Sequence, residues 1–421
     1  MAKTEHGREF YIRKAFKENY GVLMRWGGMY LGSWITPTVY LLNTGSHALF
    51  LMYTAYLSLD DIGPMAEALH FVVLLTTACT SVLNSLSQRN RLDNILEAMG
   101  RGFYDYGKSM DEVSKREIKI HENVATRRKL LLPRLFITSV LISGFAISIR
   151  PLIEYLIVGK FKEYRGDGIN RTTTVAVWVP FIDPSILWQN VLVFFLQYVI
   201  IWTTPGVVFG TDIMFLCMAE DFSLQLRIIG IAFKRSGQRA MDLYKNLIEE
   251  KRYLGQIYSK QELFKKCLEH CIAQTVEHHS LIIDLFYHFR LYNRVMLLWL
   301  LVGATFLLCL SGILFVSDKV SLLSKVTFFC FLATELVHTF IFCWYGEQLQ
   351  RLSMDIGKMF YNSDWFQYSS LVKQDLLLVQ KRTNAPLKLT AAGFMDVNLN
   401  SYSNVLSSAY SYFNLLSAVK H

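Results

Sequence analysis

The 421 residues include 43 Lys and Arg against 34 Asp and Glu, and only 18% of the chain is charged while 52% is hydrophobic. Soluble enzymes carry nearer a quarter of charged residues, so the composition argues against that class and indicates a membrane protein. The 7 Cys are scattered through mainly apolar segments, which is not the pattern of a disulfide framework. The net charge of +9 does not predict a nucleic-acid partner, because the basic residues concentrate in the segments between apolar runs.

Seven stretches are each long enough to cross a bilayer, which takes about 20 residues in a helix. The sequence therefore predicts an all-α membrane protein with seven transmembrane helices. The predicted spans are 35–59, 65–86, 130–158, 186–218, 295–316, 325–346 and 386–420.

The connecting segments divide the chain into three predicted regions. Residues 1–346 hold spans one to six, with charged helical extensions at 219–294 that continue beyond the bilayer. Residues 347–385 form an anchor segment, and 386–421 form the last helix. The basic start has no apolar run behind it, so we expect no cleaved signal peptide.

Basic residues predict the orientation of the spans. Most Lys and Arg lie before residue 35 and in 87–134, 219–294 and 347–388, which fall on one side of the membrane. The positive-inside rule places that side in the cytosol, so the N-terminus is cytosolic and the C-terminus extracellular. This topology is the inverse of a G-protein-coupled receptor. Asn170, in an Asn-Arg-Thr sequon of an outer loop, is a predicted glycosylation site.

The last predicted span is too polar for a helix surrounded by lipid. At helical spacing a single stripe carries hydroxyl and amide side chains and turns apolar towards the C-terminus. Such a stripe packs against other helices or lines water, and an apolar end could close a pore by dewetting. The stripe contains Ser401, Asn404, Ser408, Ser411, Leu415 and then Ala418 or Val419.

Motifs in the last eighty residues resemble the insect odorant receptor family. The tail matches the family pattern at Pro386, Leu387, Leu389, Thr390, Ala391, Ala392, Gly393 and Phe394, and again at Ser411, Tyr412, Phe413, Leu415 and Leu416. The family's Ser-Tyr-Ser-Tyr-Phe pattern departs at Ala409. Upstream, Phe-Cys-Trp-Tyr-Gly-Glu-Gln-Leu at 342–349 and Tyr-Asn-Ser-Asp-Trp at 361–365 resemble the same family's preceding helix end and loop.

The resemblance implies an odorant-gated, non-selective cation channel of four subunits in the plasma membrane of an olfactory dendrite. Each subunit contributes its last helix to the pore, with Leu415, Ala418 and Val419 at the gate. The shared olfactory co-receptor carries a long cytosolic insertion, which 219–294 is too short to hold. The chain therefore resembles a tuning subunit that pairs with the co-receptor, binds a small volatile organic ligand and needs no cofactor.

The resemblance also implies an odorant pocket in the outer half of the bundle, enclosed by spans two to six. Such pockets are apolar and aromatic with few polar groups. The predicted pocket residues are His70, Phe71, Leu74, Phe145, Ser148, Ile149, Phe194, Phe195, Tyr198, Leu308 and Ser311.

Other readings of the residues are weaker. No hydrolase, zinc-protease or phosphate-loop motif occurs, so no enzyme is predicted. Cys267 and Cys271, one turn apart, could reach a common zinc ion, but an exposed face of an amphipathic helix is favoured and no metal site is predicted. Glu335 and His338 either form a buried pair that satisfies each other's hydrogen bonds or lie near the cytosolic interface.

A gustatory-type channel and a G-protein-coupled receptor are the alternative functions, although the last helix of this chain lacks the motif that is usual for either class.

Overall fold

A computed structural model describes residues 2–26, 30, 34–158, 168–250, 260–318 and 320–418. Within them the chain is almost wholly helical. The helices are α1 (Ala2–Glu18), α2 (Val22–Trp26), α3 (Ile35–Leu57), α4 (Ile62–Ser87), α5 (Arg89–Arg101), α6 (Glu112–Val158), α7 (Leu187–Lys234), α8 (Ser236–Glu250), α9 (Lys260–Val316), α10 (Leu322–Tyr361), α11 (Ser369–Thr383) and α12 (Leu399–Ala418). Two short hairpins pair β1 (Ile169–Asn170) with β2 (Val177–Trp178), and β3 (Thr390–Ala391) with β4 (Met395–Asp396).

The first six predicted spans lie in helices, and several of these helices are much longer than a bilayer requires. Among the described residues, α4, α6, α7, α9 and α10 are long and apolar enough to cross a membrane. The first and last predicted spans correspond to α3 and α12, which do not belong to that set. α12 is not apolar enough to belong to that set because it contains several serine and asparagine residues. The chain is thus a multi-pass helical membrane protein.

Aromatic side chains of α7, α9 and α10 form the centre of the bundle. The ring of Phe215 stacks on Phe342 at 4.4 Å between centroids and on Phe289 at 5.3 Å. All three side chains are fully buried. Stacked aromatic pairs contribute beyond their buried area, so these three helices form the rigid part on which the others pack.

The described part of the charged stretch 219–294, that is, 219–250 and 260–294, is almost entirely helical. α7 continues to Lys234, α8 follows, and α9 begins at Lys260. Arg239 of α8 is fully buried and donates to the carbonyl oxygens of Ser109 and Ala232, both at 3.1 Å, and to Thr275 Oγ1 at 2.9 Å. This single guanidinium therefore ties the loop before α6 to α7, α8 and α9.

The expected exposure of the two cysteines of α9 is wrong. Cys267 and Cys271 are 2% and 0% exposed, because α8 packs over this face of α9. Within the described part of the chain no three His, Cys, Asp or Glu side chains are grouped in a way that could hold a metal ion.

The last region is helical only from Leu399, not from residue 386 as the predicted span implied. Residues 390–396 form the β3–β4 hairpin, whose turn has positive φ at Ala392 (51°) and Gly393 (87°). The Ala392 amide donates to the carbonyl oxygen of Arg294 in α9 at 3.0 Å. Asn398 then caps α12 by accepting from the Ser401 amide at 2.9 Å. The hairpin thus sets where α12 begins against α9.

Candidate functional site: an apolar cavity and an uncovered helix face

A cavity of about 170 Å³ lies between α3, α4, α6, α7 and α10, beneath the loop that leads into β2. Its walls are mainly aliphatic and aromatic, with a few hydroxyl, amide, imidazole and carboxyl groups. This combination is typical of a pocket for a small organic molecule. The lining residues are His47, Leu51, Phe71, Leu74, Leu75, Thr77, Val140, Ser143, Gly144, Ile147, Thr174, Val175, Gln197, Ile200, Ile201, Thr204, Pro205, Val208, Phe209, Phe331, Thr334 and Glu335.

The loop over the cavity is held by polar side chains from two helices. Gln197 of α7 accepts from the Thr174 hydroxyl at 2.6 Å and donates to the Val175 carbonyl at 2.8 Å. Arg150 of α6 donates to the Thr174 carbonyl and to Glu67 of α4, each at 2.6 Å. Since these groups are buried or half-buried, the bonds make the loop a fixed roof.

A group of ionisable side chains lies at the cavity wall formed by α10. Glu335 lines the cavity, and its Oε1 is 3.5 Å from Nδ1 of His338. The other ring nitrogen, Nε2, lies 3.1 Å from Oδ2 of Asp212 in α7. Glu335 and His338 therefore do approach each other, as one of the two sequence interpretations held. The second carboxylate, from α7, was not anticipated.

His47 of α3 is a site residue that sequence reasoning missed. It lines the cavity, is 7% exposed, and its Nε2 has no hydrogen-bond partner among the described residues. The pocket was expected to lie between spans two and six, which excluded α3. A histidine in the middle of an apolar span is costly in a membrane and usually marks function, so the signal was present.

The structure places the predicted pocket residues at four different locations. Phe71 and Leu74 line the cavity, whereas His70 is buried beside it and its Nδ1 lies 3.3 Å from Oγ of Ser311. Leu308 lines a different feature, an apolar crevice between α9, α10 and α12. Six others do not line the cavity and are half-buried or exposed on the outside of the bundle: Phe145, Ser148, Ile149, Phe194, Phe195 and Tyr198.

The polar stripe of α12 faces away from the rest of the chain. The opposite face is buried through Val405 and Ala409, each 6% exposed, and packs on α9 and α10. Asn404, Ser408, Ser411, Leu415 and Ala418 are exposed, and Ser401 is half-buried at the cap. Val419 lies outside the described residues. The stripe predicted from helical spacing is therefore a continuous uncovered face.

Asn170 is packed inside the segment between α6 and α7. It is 2% exposed; its amide nitrogen donates to Oδ1 of Asn190 at 2.8 Å, and its oxygen accepts from the Thr172 hydroxyl at 2.8 Å. A glycan would have to be attached before this packing forms. Asn170 stays a predicted glycosylation site.

Solved structures share this architecture. The chain superimposes on the insect olfactory receptor OR5 from Machilis hrabei in complex with eugenol, with a TM-score of 0.76 and 13% identity over 97% of this chain and 99% of that one. A second structure of OR5 from Machilis hrabei gives a TM-score of 0.72, again at 13% identity, over 97% and 98% of the two chains. At this identity the likeness shows the fold.

Curated relatives and a family pattern agree with the fold. The chain is 27% identical to Odorant receptor 67c of Drosophila melanogaster over 64% of this chain and 60% of that protein. It is 29% identical to Odorant receptor 22c of Drosophila melanogaster over 35% and 37%. The chain thus matches less than two thirds of either relative's length. Residues 61–410 match the family described as 7tm Odorant receptor. The protein is therefore a member of the insect odorant receptor family.

Proposed function

We propose that the chain is the odorant-tuning subunit of a ligand-gated, non-selective cation channel. It assembles with the shared olfactory co-receptor into a tetramer around a central pore. The observation that supports this most directly is the uncovered polar face of α12. Exposed Asn404, Ser408 and Ser411 would be costly against lipid, so they are better explained by a water-filled pore shared between subunits.

The ligand in this proposal is a small volatile organic molecule held in the cavity. Phe71, Leu74 and Phe331 provide apolar contacts, and the roof formed around Thr174 separates the ligand from the outer solution. The binding energy of such a ligand can favour the open state only if the cavity differs between the closed and open states.

Helix α10 provides a physical route from the cavity to the pore helix. Phe331, Thr334 and Glu335 line the cavity, and three turns further on Gly346 lies against the backbone of Val397, just before α12. A Cβ at Gly346 would lie 1.9 Å from the Val397 carbonyl oxygen. Because the two segments are in contact, a displacement of α10 by the ligand is transmitted to the start of α12. Leu415, Ala418 and Val419 form the gate at the other end.

The proposed topology also assigns the anchor of the tetramer. Seven spans with a cytosolic N-terminus and an extracellular C-terminus place α8, the first part of α9 and residues 347–385 in the cytosol as the anchor of the tetramer. The plasma membrane of a sensory dendrite is the proposed location. Epitope tags at both termini, probed on intact cells, test the topology; staining of the N-terminal tag alone would contradict it and favour a G-protein-coupled receptor.

Electrophysiology tests the channel itself. Cells expressing the chain with the co-receptor should give inward currents in response to members of an odorant panel. Cells expressing either chain alone should not reproduce the response of the pair to the same panel. Equal odorant-evoked currents from this chain without the co-receptor would contradict obligate partnership. A complete lack of response in the pair to any small apolar volatile would contradict the function.

A further inference from the structure

We propose that the cavity is selective for alcohols and phenols, that is, for a small apolar molecule with one hydroxyl group that hydrogen-bonds to His47. This inference deepens the proposed function and rests on the cavity being the odorant site.

Most polar groups of the cavity wall already have partners within the protein. The hydroxyls of Thr77 and Ser143 donate to carbonyl oxygens of their own helices, at 2.9 and 3.0 Å. Thr204 pairs with the Tyr40 hydroxyl at 3.2 Å. Gln197 is used in holding the roof. These groups are therefore poor anchors for a ligand.

His47 differs from them. The side chain is more than nine-tenths buried, lines the cavity, and has an Nε2 atom with no partner among the described residues. An unpaired buried nitrogen is destabilising, and the penalty is relieved when a ligand supplies the missing hydrogen bond. The gain is made only by ligands that carry a polar group at this position, so His47 discriminates between ligands as well as binding them.

A hydroxyl is the group that suits this nitrogen best. In a neutral imidazole one nitrogen donates and the other accepts, and a hydroxyl can pair with either. Ethers and esters can only accept, and hydrocarbons do neither. The remainder of the ligand must be apolar, because the walls around His47 include Leu51, Phe71, Leu75 and Ile200.

The two carboxyl groups at the wall formed by α10 argue against carboxylic acids as ligands. Glu335 lines the cavity, and it shares the single imidazole of His338 with Asp212. An anionic ligand would add negative charge beside a cluster with two carboxyl groups and one imidazole, which is unfavourable in a low-dielectric site. Oε1 of Glu335 already accepts from Thr339 at 3.3 Å and lies close to His338, so it is less available than His47 as an anchor.

The test compares ligands that differ only in the hydroxyl group: octanol with octane, benzyl alcohol with toluene, and menthol with menthane, together with octanoic acid and octylamine. Affinity is measured by the thermal shift of the purified complex with the co-receptor, and response by currents in cells. For at least one skeleton the alcohol should bind about tenfold more tightly than its hydrocarbon, which corresponds to one hydrogen bond in an apolar site.

Substitutions of His47 assign the preference to this residue. In H47F the ratio between alcohol and hydrocarbon should fall to near one while hydrocarbon binding persists, which also shows that the variant folds. In H47Q, which keeps a hydrogen-bonding group, part of the ratio should remain. H288F is the matched control, since His288 is a half-buried histidine of α9 that does not line the cavity, and it should leave the ratio unchanged.

Four outcomes would overturn the proposal: equal affinity for alcohols and hydrocarbons; no binding of any alcohol; an unchanged ratio in H47F; or a preference for the acid or the amine. The proposed channel function fails separately. If the thermal shifts show the alcohol preference but the co-expressed pair gives no current, the head-group inference stands and the gating function is wrong.

Discussion

Nη2 of Arg150 lies 2.6 Å from Oε1 of Glu67 and 2.6 Å from the carbonyl oxygen of Thr174. One guanidinium, 3% exposed, therefore joins α6, α4 and the roof of the cavity. The pairing links residues 83 positions apart in the chain. The end of the bundle that carries the roof therefore depends on a charge that cannot be removed without leaving its partner unpaired.

Replacement of Arg150 by methionine tests this dependence. R150M keeps much of the apolar stem but leaves the Glu67 carboxylate half-buried without its partner, which costs about 3 kcal/mol. We expect a lower melting temperature and a weaker odorant response at all concentrations. R134M, at an exposed position of the same helix, should have little effect. E67Q on top of R150M should add little, and additive effects in this double-mutant cycle would contradict direct coupling.

Gly346 offers a second test, at the contact between α10 and the segment before α12. G346A would place a methyl group 1.9 Å from the Val397 carbonyl oxygen, so the backbone must shift. We expect loss of channel current at normal surface expression, or loss of expression, because the rigid backbone cannot yield cheaply. G45A, in α3 with nothing near the added Cβ, should be neutral or slightly stabilising. Normal currents in G346A would contradict the proposed route.

Thiol labelling can map the pore face of α12. The native chain has no cysteine in 386–421, so an introduced cysteine is the one thiol of that region. Currents through S408C and S411C should be blocked by a water-soluble thiol reagent, because both positions lie on the uncovered face. A409C, on the buried face at 6% exposure, should react little. Equal block at all three positions would show that the helix does not present this face to water.

A pH test concerns the first half of α9, before its apolar span. Burial lowers the pKa of His278 from 6.5 to about 3, and the ring accepts or donates a hydrogen bond with the Tyr106 hydroxyl at 2.9 Å and stacks on Tyr104. Burial likewise lowers the pKa of the neighbouring His279 to about 4. The positive charge of His279 would lower the pKa of His278 further, and that of Arg382 lowers the pKa of His279.

The sign of the effect follows from which state takes up protons. Below pH 6.5 the unfolded chain binds a proton at His278 that the folded chain does not, so stability falls as pH falls from 6.5 towards 3. Between pH 7 and pH 5 the loss is about 2 kcal/mol for this residue. The melting temperature of the purified receptor should therefore drop at pH 5, and by less in H278Q. An identical drop in H278Q would assign the acid sensitivity to other groups.

Hydropathy and charge placement predicted the helices well because long apolar runs leave few alternatives in a bilayer. Their ends were less predictable. Residues 390–396 were expected to be helical, but positive φ at Ala392 and Gly393 turns the chain into a hairpin. The motif that suggested the family is, in part, this hairpin and its contact with Arg294, so a local pattern pointed to a tertiary feature.

The pocket shows where residue patterns are insufficient. Phe71 and Leu74 line the cavity, whereas Phe194 and Phe195 are on the outside of the bundle at 37% and 60% exposure. A membrane helix that is apolar on all sides gives no sign of which side faces its neighbours, since lipid and protein interior are similarly apolar. Aromatic residues in such a helix are therefore poor indicators of a cavity.

The sequence alone determined the helical membrane class, the approximate positions of the spans and the polar stripe of α12, because these depend on residue periodicity and on the cost of placing polar groups in lipid. Only the tertiary structure decided that α3 contributes His47 to the cavity, that Arg150 pairs with Glu67, and that His338 lies between Asp212 and Glu335. These contacts depend on how each helix is rotated and tilted against its neighbours. That rotation results from packing over the whole bundle, which no local pattern encodes.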